Sequence, residues 1–226
     1  MTTKTLKYLF IEHILFLKDG FHNGLRHLKE NNPILNLIGY EISDIETNRP
    51  TLSELITSND FYFVWVNLEF PMHGNERYST ATALLSALKK KNPKTRIVVI
   101  TQNNTVYSLR KVLKKINPQG ILEVTDCDQE SIMRALNAVI KNEVYYSRNI
   151  MLLIRKFIGT FETMDDADYA ILYELHLGTA VTSLPKKVHL SHSTILKKRS
   201  RLKELFNLSG KTDTDLIKEV KTQQFI

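Results

Sequence analysis

The chain has 226 residues, of which 42% are hydrophobic and 24% charged, with a formal net charge of +7. That length allows one large or two ordinary domains with cores of their own. The single Cys127 excludes an internal disulfide and favours a reducing compartment. The apolar runs Tyr8–Ile11 near the start and Ile150–Ile154 later are too short for a secretory leader or a membrane helix of about 20 residues, so a cytoplasmic protein is expected.

From Lys7 to Lys141 short apolar runs alternate with amphipathic stretches. The runs are Tyr8–Ile11, Leu35–Ile38, Phe61–Val66, Ile97–Ile100 and Gly120–Leu122. They hardly alternate with polar residues, as expected of strands covered on both faces. Between them, apolar residues recur every three or four positions. The sets are Phe16, Phe21, Leu25 and Leu28; Leu52, Leu55 and Ile56; Ala81, Leu84, Leu85 and Leu88; Val106, Leu109, Leu113 and Ile116; and Ile132, Leu136 and Ile140. Five strand–helix units predict a doubly wound parallel (βα)5 sheet, with function at the C-terminal strand ends: Glu12 and His13, Asn67, Thr101, Val124.

Beyond Lys141 the pattern changes. Tyr145–Phe161 reads as a connecting helix with Gly159 as its hinge, and short helices follow from Met164. The expected division is 1–143 for the α/β domain, 144–163 for the linker helix and 164–226 for an all-α domain. Asp165 and Asp166 open a helix that Gly178 ends. A short helix fits Thr182–His189, with Pro185 in its first turn, and Ser191 caps a longer one through Asn207. Thr212–Gln223 forms the last. The tight link between the second and third of these matches helix-turn-helix spacing.

No acidic residue occurs between Glu174 and Glu204, and the third helix carries Lys197, Lys198, Arg199, Arg201 and Lys203, with Lys186 and Lys187 just upstream. A solvated basic helix face is common, but a cationic, capped helix in this arrangement also suits the DNA major groove. His189 and His192 read as turn or phosphate-contact residues. No Cys or acid lies at ligand spacing, so no metal or cofactor is expected.

Residues Met164–Val220 resemble the helix-turn-helix of the LuxR/NarL class, with Gly178, Val188, Leu190, Ser191, Thr194, Ile195 and Leu205 in matching places. Asp166, Pro185 and Asn207 depart from its usual Pro, Ala and Gly. The N-terminal half is similar to a receiver domain of the same response-regulator class, most like the RcsB branch. Asn67-Leu68-Glu69-Phe70-Pro71 resembles the family's Asp-Leu-x-Met-Pro, and Ile97–Thr101 with Gln102-Asn103-Asn104 resembles its fourth strand and loop.

A working receiver uses an aspartate nucleophile, two acids for Mg²⁺, a Thr or Ser, and a Lys. By correspondence these positions hold Asn67, the pair Glu12 and His13, Thr101, and Val124. The resemblance therefore implies no phosphorylation chemistry and no enzyme, but a degenerate receiver kept for association. His13 either hydrogen-bonds Asn67 or Thr101 or is a partly buried surface histidine, the latter favoured. In the helix-turn-helix the resemblance puts base reading at Leu196, Lys197 and Ser200. His192, Ser193, Lys198, Arg199 and Arg201 would position the helix on the backbone, while Lys187 and Lys203 contact phosphate or are solvated.

The expected function is a dimeric, sequence-specific transcriptional regulator of two-component type working without aspartyl phosphorylation. It would act on double-stranded DNA as a homodimer, or as a heterodimer with another regulator. The alternative is an interaction module that pairs with or sequesters another response regulator.

Overall fold

The computed structural model describes residues 4–42, 52–72, 80–103, 105–161 and 163–226. The chain divides into two compact units, Met1–Asn103 with Lys111–Met151, and Asn104–Arg110 with Leu152–Ile226.

The first unit is built on a parallel sheet in the order β2-β1-β3-β4-β5-β6. Its strands are β1 (Lys4–Ile11), β2 (Leu35–Ile42), β3 (Phe63–Asn67), β4 (Arg96–Thr101), β5 (Gly120–Glu123) and β6 (Tyr145–Tyr146). The chain winds to one side of β1 and then to the other, which puts the switch in strand order between β1 and β3. Every residue of β3 and β5 is buried, as their unbroken apolar runs require. β2 is an edge strand instead, with Ile38 39% exposed, so it is not covered on both faces.

Helices α1 (Leu15–Asn31), α2 (Leu52–Ser58), α3 (Ala81–Lys91) and α5 (Gln129–Lys141) belong to this unit. α4 (Val106–Lys115) and α6 (Arg148–Phe161) each run from one unit into the other. α1 and α5 approach closely because Gly20 and Gly24 leave room: a Cβ there would lie 2.6 Å from Cδ1 of Ile132 and 2.5 Å from Cδ1 of Leu136. The core gathers aromatic rings, with Phe10 stacked on Phe21 at 4.1 Å and Phe21 tilted against Trp65 at 5.2 Å. Their quadrupoles favour such offset and tilted pairs.

Three expectations need correction. In α1 Leu17 is buried and Phe16 is 51% exposed, because the inward stripe runs one residue later. In α4 Val112 is the buried residue and Leu113 only partly so. Tyr145 and Tyr146 form a sixth strand rather than the start of the connecting helix. The Tyr145 N–H donates to the Gln119 carbonyl at 2.8 Å, and Ser147 N–H to the Ile121 carbonyl at 2.9 Å. Two residues are too few to show strand periodicity in a sequence. α6 then runs through Gly159, the expected hinge.

The second unit carries α7 (Asp166–His176), α8 (Leu184–Val188), α9 (His192–Leu205) and α10 (Asp213–Thr222). Caps define each long helix. Asp165, Ser191 and Thr212 accept from the N–H of Asp168, Thr194 and Asp215, and the first and third of these complete capping boxes. Gly178, at φ +81°, takes the left-handed conformation after α7 that a side chain resists. Tyr169, Leu172, Leu184, Ile195, Leu202, Leu216, Val220 and Phe225 form the core.

Candidate functional site

Two clusters of candidate residues are described, one in each unit. In the first, Glu12, Asn67 and Thr101 come together at the C-terminal ends of β1, β3 and β4. Glu12 is completely buried. Its Oε1 accepts from the backbone N–H of His13, the N–H of Ile14 and the Asn67 side-chain amide, each at 2.9 Å. Its Oε2 is buried with no hydrogen-bond partner among the described residues. Burial pushes the Glu12 pKa above the ordinary carboxylate range, against the opposing pull of those three donors.

Asn67 is also fully buried and bridges, its Oδ1 accepting from Glu69 N–H at 2.9 Å. The Thr101 hydroxyl donates to Oε1 of Glu69 at 2.7 Å, and Gln102 N–H donates to Oε2 at 3.2 Å. Glu69 was not singled out in the sequence, where only its place within Asn-Leu-Glu-Phe-Pro marked it. His13 bonds neither Asn67 nor Thr101. Its exposed ring lies edge-on to Phe70 at 5.8 Å, with Nδ1 3.6 Å from Glu12 Oε1. Val124 follows β5 in a 3-10 turn, partly buried against the core.

The chemistry open to this cluster is narrow. Among the described residues no Lys or Arg pairs with Glu12, Asn67, Thr101 or Glu69, so developing negative charge would meet no cation. Nearby Cys127 is pushed up to about 12, by burial first and then by Asp126, Glu12, Asp128 and Glu123. The donors do not fit a divalent cation either. Asn67 turns its NH₂ toward the buried Glu12 carboxylate, and no group of three His, Cys, Asp or Glu side chains suited to a metal occurs among the described residues.

In the second unit the basic residues of α9 divide between two faces. Lys198, 16% exposed, donates to Asp165 Oδ2 at 2.6 Å and to Asp168 Oδ1 at 3.0 Å. Arg199 pairs with Asp213, and Lys203 Nζ lies 2.9 Å from Asp213 Oδ1. Arg201 donates to the Thr163 carbonyl and lies 3.6 Å from Asp168, yet stays 53% exposed. The sequence expectation that Lys198, Arg199 and Lys203 line an exposed basic face is thus corrected, because carboxylates on α7 and α10 draw them inward.

Exposed on α9 are His192, Ser193, Leu196, Lys197, Ser200, Arg201 and, near its end, Glu204, with Lys186 and Lys187 exposed on α8. Residues 193, 196, 197 and 200 share one face, since neighbours three and four apart on a helix lie together. His189 ends α8 in the left-handed conformation at φ 55°, and the turn leads directly to the Ser191 cap.

No family model matches the chain, and no curated protein matches it significantly. Solved structures do. The chain is similar to the two-component response regulator RcsB in complex with DNA, at 20% identity and a TM-score of 0.59, covering 97% of this chain and 99% of that one. It is equally similar to RcsB from Salmonella enterica serovar Typhimurium bound to the promoter P1flhDC with the phosphomimetic BeF3⁻, at 20% identity and TM-score 0.59, covering 97% and 100%. The isolated receiver (REC) domain of that protein matches at 20% identity and TM-score 0.50, covering 66% of this chain and 99% of that one. At such identities the likeness shows the fold: a receiver-like α/β domain followed by an all-α domain.

Proposed function

We propose that this chain is a DNA-binding transcriptional regulator of the response-regulator kind, whose receiver-like domain works without aspartyl phosphorylation. The observation that carries it is the division of α9. One set of cations, Lys198, Arg199 and Lys203, is tied to aspartates, while Ser193, Leu196, Lys197 and Ser200 form a solvent-facing row on a rigidly held helix. A helix fixed from below, with a donor-bearing row outward, is what base reading in the major groove requires. The RcsB–DNA complexes, which share the whole-chain fold, support the same use.

The phosphate-independent part of this reading rests on Asn67. An amide forms no acyl phosphate, and its contacts to Glu12 and Glu69 already link the strand ends. We carry the boundaries 1–143, 144–163 and 164–226 as the functional division of the chain. It would associate as a homodimer or with a second regulator, as the two RcsB dimers on two parallel DNAs suggest. The site residues on DNA are then Ser193, Leu196, Lys197 and Ser200 toward the bases, and Lys187, His192 and Arg201 toward phosphates.

The test is fluorescence anisotropy of the full chain on duplexes selected from a random library, across a salt series, with and without acetyl phosphate and Mg²⁺. Selective, salt-dependent binding that acetyl phosphate leaves unchanged is expected. Failure to bind any duplex overturns the reading. A response to acetyl phosphate overturns its second half.

A further inference from the structure

We propose that Leu196 is a specificity determinant that packs on the C5 methyl group of a thymine in the major groove. This rests on the reading of α9 as the base-contacting helix and names what part of that helix selects. The side chain is 46% exposed, whereas the apolar residues that hold α9 in place, Ile195 and Leu202, are 0% and 1% exposed. Leu196 therefore does little for the core.

Its surroundings are polar on every side of the same face. Ser193 lies one turn before it, Ser200 one turn after, and Lys197 beside it, all exposed. A patch for docking another protein would need further apolar side chains nearby. Among the described residues α9 exposes no second large hydrophobic one. A lone branched apolar side chain between hydroxyls and an ammonium matches a surface that is itself mostly donors and acceptors with single apolar points. The major-groove edge of duplex DNA is such a surface, and its apolar point is the thymine methyl.

The chemistry also sets an order of preference. Uracil offers the hydrogen-bonding edge of thymine without the methyl, so it loses only the apolar contact. Cytosine lacks the methyl and also puts an amino donor where thymine and uracil have an acceptor, which suits the neighbouring Lys197 ammonium less well. The expected order at this position is thymine, then uracil, then cytosine.

The experiment takes a duplex selected by the full chain from a random library and replaces its thymines with deoxyuridine one at a time. Affinity is read by fluorescence anisotropy. Wild type should lose about threefold to tenfold at one thymine or its symmetry mate. Leu196→Ala should bind the thymine duplex more weakly and no longer distinguish uracil there. Leu196→Gln, which keeps length but adds an amide, should shift the selected base away from thymine. Leu196 is exposed enough for both variants to fold, which a melting curve checks.

Indifference of the wild type to every uracil overturns the proposal and leaves DNA binding standing. So does a Leu196→Ala variant that still prefers thymine over uracil. Failure to bind any duplex removes both readings together.

Discussion

The Thr101 hydroxyl donates to Glu69 at 2.7 Å, and the adjacent Gln102 N–H donates to the other oxygen of that same carboxylate at 3.2 Å. A side chain of the chain itself thus occupies the hydroxyl and the amide at the end of β4. Glu69→Ala should leave the fold intact, since the residue is exposed. It should release the Gln102 amide, raising its hydrogen exchange roughly fivefold, the equivalent of about 1 kcal/mol for one hydrogen bond. Unchanged exchange at Gln102 would mean that the carboxylate does not hold this loop in solution.

Glu12 predicts a pH effect with a definite sign. Its folded pKa is raised, by burial first, so the native state holds this proton more tightly than the unfolded chain does. The contribution of Glu12 is then fully present below the ordinary carboxylate pKa. It is lost as pH rises through the raised value. Glu12→Gln keeps an acceptor for the three donors and removes the charge. It should equal or exceed wild-type stability at pH 7, by up to about 2 kcal/mol, and flatten this part of the pH dependence. Glu12→Leu, which strands two backbone N–H groups and the Asn67 amide, should be clearly less stable in the same denaturant titrations.

Restoring an aspartate should not restore chemistry. Asn67→Asp sets a second carboxylate 2.9 Å from the first, with no Lys or Arg paired with either position among the described residues. A loss of about 2–4 kcal/mol at neutral pH is expected, and acidification should reverse it because one of the pair then keeps a proton. Intact mass spectrometry after treatment with acetyl phosphate and Mg²⁺ should find no added phosphoryl group. A stable, phosphorylated variant would show that the pocket retains its electrostatics.

The two faces of α9 should separate by assay. Lys197→Ala is expected to melt like wild type and to bind selected DNA more weakly by about 1–3 kcal/mol. Lys198→Ala strips the counter-charge from buried Asp168, and a stability loss of about 3 kcal/mol should dominate. Equal loss of affinity and no loss of stability in both variants would contradict the division.

Asp213 gives the acid limit of the same unit. Burial acts to raise its pKa, but the hydrogen bonds from Lys203 and Arg199 more than offset this and hold it below the usual value. Its stabilising effect is therefore present above an unfolded pKa of about 4. It disappears as pH falls through the depressed value. Asp213→Asn should abolish that acid-induced loss, because the variant lacks the stabilisation at every pH. Circular dichroism melts between pH 2 and 7 would record it.

Much of this arrangement could be read before any coordinates, because buried parallel strands leave unbroken runs such as Phe63–Val66 and each cap leaves its Asp, Ser or Thr. β6 could not, since two tyrosines carry no period and their pairing depends on the far edge of β5. At the strand ends the sequence identified Glu12, Asn67 and Thr101 but not Glu69, whose role depends on its carboxylate reaching across to the end of β4. On α9 it read charge without destination. Lys198 and Lys197 are neighbours of the same kind, and only the aspartates at the start of α7 tell them apart.

That separation bears on how such a protein could change its targets. The ion pairs and buried apolar residues that fasten α9 and the residues that face outward are different sets on one helix, so substitutions at 193, 196, 197 and 200 leave those ion pairs and that core untouched. New binding preferences could then accumulate at these four positions without passing through variants that fail to fold. The aspartates at 165, 168 and 213 would stay under constraint throughout. A library randomised at the four outward positions, sorted first for folding and then for DNA preference, should yield many stable members with divergent sites.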